Sequence, residues 1–126
     1  MHFTVTDTGV ETDFPYGNLQ ISGDEEKGYR PFQLMIASIA SCSGFVYKRI
    51  LEKQRMKIDS IEIKAEVERN EKEANRLEKI SLAFIVEGEE LDLKKLENAL
   101  TIARNNCGMV RSVEDAITIV ETVTIK

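Results

Sequence analysis

Two cysteines, Cys42 and Cys107, are the residues whose type and setting could carry chemistry in this chain. Cys42 lies inside Leu34–Val46, a run without a charged residue. Cys107 follows Arg104-Asn105-Asn106 and precedes Gly108-Met109-Val110, where a helix should stop. If folding brings the two together, they form a thiol pair able to cycle between dithiol and disulfide. Free cysteine is also among the most buried residue types, so a purely structural role for Cys42 is the competing reading.

Other chemistries find little support. One histidine and two cysteines make no convincing transition-metal site, and no Cys-x-x-Cys or His-x-x-x-His spacing occurs. There is no glycine-rich phosphate loop, nucleotide fingerprint or Gly-x-Ser-x-Gly elbow. The 17 basic residues are scattered among 22 acidic ones, with a net charge of -5, which argues against nucleic acid as a partner. The opening Met1-His2-Phe3-Thr4-Val5-Thr6 alternates and lacks the pattern of a secretory leader. The run from Leu34 to Val46 is shorter than the roughly 20 residues a membrane helix needs, so a buried helix is expected and no membrane partner. A cytoplasmic location follows by default. Cysteines there rest reduced, and a disulfide between them would be catalytic or sensing.

The elements that must position the pair can be read in order. Phe3–Val5, Val10–Phe14 and Asn18–Ser22 read as short strands separated by turn residues. Pro31 suits a helix first turn, and the helix should run to about Arg55. Its first half is apolar or small on every face, the mark of a buried helix. Ile61, Ile63, Ala65 and Val67 alternate with charged residues, as do Ile80, Leu82, Phe84 and Val86 with their neighbours, predicting a long hairpin with a dry and a wet face. Asp92 is a suitable N-cap for a second helix with Leu93, Leu96, Leu100 and Ala103 on one stripe, ending at Asn105-Asn106. Arg111–Asp115 reads as a connection, and Ala116–Ile125 as a last strand with Ile117, Ile119, Val123 and Ile125 on one side. The sum is a single α+β domain over residues 1–126, with mostly antiparallel sheets around a long buried central helix. The apolar excess of that helix predicts a homodimer.

With these elements placed, Pro31-x-Gln33-Leu34-x-x-Ala37-Ser38-x-Ala40-x-Cys42 and Cys107-x-x-Val110 resemble the osmotically inducible protein C and organic hydroperoxide resistance superfamily. The resemblance runs from about Gly9 to the C-terminus. It implies an intertwined α+β homodimer with two sites at its interface. It also implies a thiol-dependent peroxidase that reduces organic hydroperoxides in oxidative-stress defence, with Cys42 peroxidatic and Cys107 resolving. No bound cofactor is implied; dihydrolipoyl groups or other external thiols would regenerate the pair. The chain departs from peroxidase members at three points. Phe32 stands where they carry glutamate, no arginine precedes Arg30, and Gly108 rather than proline follows Cys107. It therefore resembles the branch that keeps both cysteines without the arginine–glutamate pair.

A peroxidatic cysteine must be a thiolate, and a free thiol has a pKa of about 8.5. Lowering it takes a cation, a helix N-terminus or strong hydrogen bonds. Cys42 is too far along its own helix for that N-terminus to help. Ser38, one turn back, and Ser41 and Ser43 offer hydroxyls. Arg30, Arg49, Arg104 and Arg111 all remain candidates for the cation, with Arg30 and Arg111 beside Ser38 as candidate supporting residues. The rival to the enzyme is a non-enzymatic dimer that binds a small apolar ligand or senses redox state, since Phe32 leaves the surroundings of Cys42 apolar.

Overall fold

The computed structural model describes all 126 residues, which cluster into two compact units, Met1–Ala37 and Ser38–Lys126. In the first, β1 (Thr4–Val5), β2 (Val10–Phe14) and β3 (Gly17–Ile21) form a three-stranded antiparallel sheet in the order β1-β2-β3. Two buried hydroxyls hold its turns: Thr12 donates to the His2 carbonyl and Ser22 to that of Thr8.

Helix α1 (Pro31–Lys53) runs out of this unit into the second. There β4 (Lys57–Asn70) and β5 (Arg76–Glu89) form the predicted long hairpin, followed by α2 (Leu93–Asn105), α3 (Gly108–Val113) and β6 (Thr118–Ile125). The sheet order is β4-β5-β6. The α+β class is confirmed, with one departure from antiparallel pairing: β6 lies parallel to β5, Ile80 opposite Ile119 and Phe84 opposite Val123. Parallel neighbours need a long crossover, and α2 with α3 supplies it. The second surprise is α3, in the stretch read as a connection. It is too short to show an apolar period, and its N-cap is Cys107, not one of the usual capping residues.

β5 is the central strand, and its Ile80, Leu82, Phe84 and Val86 are fully buried. Leu96, Ala99, Leu100 and Ala103 are the buried stripe of α2, which packs against β6 and which Asp92 caps by accepting from the Lys95 amide. Leu93, predicted on that stripe, is exposed instead. β4 is an edge strand, so its predicted dry row is only partly covered: Ile61, Ile63 and Val67 are half-buried and Ala65 is exposed.

α1 corrects the expectation of burial on every face. Within the second unit it buries one stripe at four-residue spacing, Ile39, Ser43, Tyr47 and Leu51, while Phe45 stays 57% exposed. A single sheet can cover only one side of a helix. Tyr47 meets the Phe84 ring edge-on at 5.2 Å and donates its hydroxyl to the Leu96 carbonyl. At Gly44 a Cβ would stand 2.7 Å from Ile63 Cδ1, so glycine lets the helix approach β4. By length and composition alone α1 could cross a membrane. The packed stripe and the charged residues of its second half fit a helix that docks on the fold's own core instead.

Phe84→Ala should lower stability by about 3–5 kcal/mol, because it opens a cavity at the centre of the core. Tyr47→Phe, which deletes one buried hydrogen bond and keeps the ring, should cost only about 1 kcal/mol. Urea denaturation of both variants checks the order.

Candidate functional site

Cys42 sits midway along α1 and Cys107 between α2 and α3, both in the second unit. Both are free thiols, Cys42 partly accessible and Cys107 buried. The fold brings them within hydrogen-bonding reach: the Cys107 thiol donates to Cys42. The sequence singled out this pair, and the structure juxtaposes it.

The Cys42 thiol is held below its ordinary value. The leading cause is a hydrogen bond from the Met109 amide; burial opposes it, and the Cys107 thiol and the Gly108 amide reinforce it. Gly108 and Met109 are the first two residues of α3. Amides at that position have no carbonyl partner within their own helix, so they are free to donate to an anion. Cys42 thus receives the start of a helix, though not of its own.

Cys107 is the opposite case. Burial comes first and pushes its thiol up to about 11. The Val110 amide, donating to Cys107 Sγ at 3.5 Å, works against burial, while the neighbouring Cys42 adds to it. The pair is therefore asymmetric: a partly exposed sulfur whose pKa is lowered and a buried sulfur that keeps its proton and offers it to the first.

None of the predicted supporting residues is among the groups that shift the Cys42 thiol. The Arg111 guanidinium pairs with Glu114 at 2.8 Å and donates to the Asn105 carbonyl. Arg30, in the first unit, stacks over the Phe32 ring at 4.7 Å, and Arg49 over that of Phe45 at 4.7 Å. Arg104 donates to the Ile119 carbonyl. Ser38 is exposed, and its carbonyl accepts from Ser41 Oγ. Ser43 spends its hydroxyl on Glu121, not on Cys42. The groups that depress Cys42 are backbone amides and a thiol, where the sequence reading looked for a guanidinium. Backbone donors carry no residue-type signature, so nothing in the sequence marks Met109, and Gly108 shows only as a departure from the family motif.

The family model described as OsmC-like protein matches residues 23–122. The chain belongs to the OsmC-like family. It is 28% identical over 106 residues to the organic hydroperoxide resistance protein OhrB of Bacillus subtilis (strain 168), an alignment covering 84% of this chain and 76% of that one. Its fold is similar to that of a hypothetical protein from Aquifex aeolicus VF5, with a TM-score of 0.87 at 23% identity over 99% of this chain and 93% of that one. An OsmC-like protein from Mycoplasma pneumoniae gives a TM-score of 0.84 at 10% identity, covering 98% and 94%. The resemblance read from the two cysteine motifs is thereby established at the level of family and fold.

Met109→Pro deletes the leading donor at a position in the first turn where proline is tolerated. The Cys42 pKa should rise toward the free-thiol value of about 8.5. pH-dependent alkylation, resolved by peptide mass spectrometry, checks this; an unchanged midpoint would show that the amide is not the leading donor. The sign for stability follows. Because the native pKa of Cys42 is depressed, its contribution is complete above the unfolded-state value and is lost as pH falls through the native one.

Proposed function

We propose that the chain is a thiol-dependent peroxidase that reduces organic hydroperoxides in oxidative-stress defence, with Cys42 peroxidatic and Cys107 resolving. The observation that carries it is the asymmetric thiol pair, with the Met109 and Gly108 amides and the Cys107 thiol all donating to Cys42. Membership of the OsmC-like family and the similarity to OhrB support the substrate class.

In this reading the Cys42 thiolate attacks the outer oxygen of a hydroperoxide. The O–O bond breaks, a Cys42 S–O bond forms, and the departing alkoxide takes a proton to leave as the alcohol. Cys107 is the nearest proton source, since its thiol already points at the reacting sulfur. Losing that proton makes Cys107 a nucleophile. It attacks the Cys42 sulfenic acid, the S–S bond forms, and hydroxide leaves and is protonated to water. A dihydrolipoyl group or other external thiol then donates two electrons and two protons to restore the dithiol. No bound cofactor takes part.

The protein works in the cytoplasm as a homodimer in this proposal. The exposed Phe45 and the half-covered apolar row of β4 are the surfaces a second copy would cover. The depressed Cys42 thiol weighs against the rival binding role, which predicts an ordinary, slowly reacting sulfur.

Turnover of cumene hydroperoxide with dihydrolipoamide should be abolished by Cys42→Ser. In Cys107→Ser, one hydroperoxide pulse should leave a trappable sulfenic acid on Cys42 and no disulfide. Absence of Cys42-dependent turnover in the wild-type protein, together with no sulfenic acid trapping, would sink the peroxidase reading.

A further inference from the structure

β6 carries an acid where its pattern calls for an apolar side chain. Ile119 and Val123 are buried, and Glu121 lies between them in the same alternating row. Its Oε2 accepts a 2.5 Å hydrogen bond from the hydroxyl of Ser43, which is fully buried. Its Oε1 is buried without a partner. Burial pushes the carboxyl up, against the Ser43 hydrogen bond and the charge of Arg104. Arg104 itself donates to the carbonyl of Ile119, two residues before Glu121.

Both ties lie beside a cysteine. Ser43 directly follows Cys42 on α1, and Arg104 belongs to the last turn of α2, just before Cys107. One stretch of β6, Ile119 to Glu121, therefore holds the two elements that carry the thiols. The attraction between Arg104 and Glu121 joins the ties to each other.

Stability does not explain this arrangement. A buried polar cluster of this kind is often no more stable than apolar side chains of the same shape, and a buried oxygen without a partner is a cost. Placement does explain it. The hydrogen bonds that depress Cys42 weaken steeply with distance and angle. Ser43 is fixed to the sheet one residue along the same helix, and that sets both the rotation and the height of the turn carrying Cys42.

We propose that Glu121, with Arg104, is a positioning residue that acts through Ser43 to hold Cys42 in register with Cys107 and the Met109 and Gly108 amides. The proposal rests on Cys42 and Cys107 being the working thiols. It does not depend on which oxidant they meet.

The test is the pH dependence of Cys42 alkylation and the dithiol–disulfide equilibrium against dithiothreitol, in wild type, Glu121→Leu, Glu121→Gln and Ser43→Ala. Glu121→Leu should fold with an equal or higher Tm. Its Cys42 midpoint should rise by about one pH unit, roughly a tenfold loss of thiolate below the midpoint. Loss of a nearby negative charge alone would move the midpoint the other way, so the direction separates positioning from simple electrostatics. Glu121→Gln keeps an oxygen to accept from Ser43 and should stay near wild type. Ser43→Ala should shift like Glu121→Leu and decides the matter if the leucine variant does not fold. Variants that fold with wild-type midpoints and disulfide equilibria would overturn the positioning role and leave the function proposed above standing. An ordinary Cys42 midpoint in the wild-type protein would overturn both.

Discussion

The site depends on how a partly exposed sulfur in the middle of a helix finds hydrogen-bond donors. A thiolate on α1 has no help from its own helix, whose start lies several turns back at Pro31. The fold answers by bringing up the start of another helix. The chain turns at Cys107, and the first amides of α3 then stand free of carbonyl partners and aim at Cys42. The turn that presents the amides also presents the Cys107 thiol. The amide donors and the second thiol therefore reach Cys42 from one turn of chain.

The crossover between β5 and β6 makes this turn necessary. Two parallel strands side by side force the chain to travel back along the sheet, and α2 makes most of that journey. Its end must then be redirected into β6. α3 is the redirecting turn, and Cys107 opens it as N-cap, with its own sulfur accepting from the Val110 amide. A residue in that place satisfies a helix start, meets Cys42 and stays buried. Burial keeps its proton on at neutral pH.

Much of this was legible from patterns of the right length. The 2-residue period of β4 and β5, the Asp92 cap, the Asn105-Asn106 stop and the cysteine motifs all state their own meaning. What stayed hidden lacked a side-chain signature. α3 has too few residues for a period, and a parallel partner for β5 cannot be told from an antiparallel one in the spacing of Ile117, Ile119 and Val123. The amide donors have no residue type at all. Glu121 is different. It occupies an inward position in the β6 alternation and was passed over because its neighbours at 119 and 123 were enough to define the row. An acid in a buried row is a readable signal, and in the structure it accepts from the buried Ser43 hydroxyl. At α1 a run apolar on all faces is covered within one chain only along the Ile39–Leu51 stripe, and the rest is the apolar excess from which the sequence predicts a second copy.

Backbone donors differ from a guanidinium in what they allow. An arginine brings a full charge, which acts over distance and tolerates some looseness. An amide brings a partial charge that counts only at hydrogen-bond range and good alignment. With Phe32 after Pro31 and no arginine before Arg30, the sequence supplies neither partner that the family resemblance implies, and the amide donors Cys42 does have count only while it is held closely in place. That requirement gives the polar ties around Cys42 a purpose their energetics alone do not supply. Ser43, Glu121 and Arg104 fix two helices to one strand at the points where the thiols leave them.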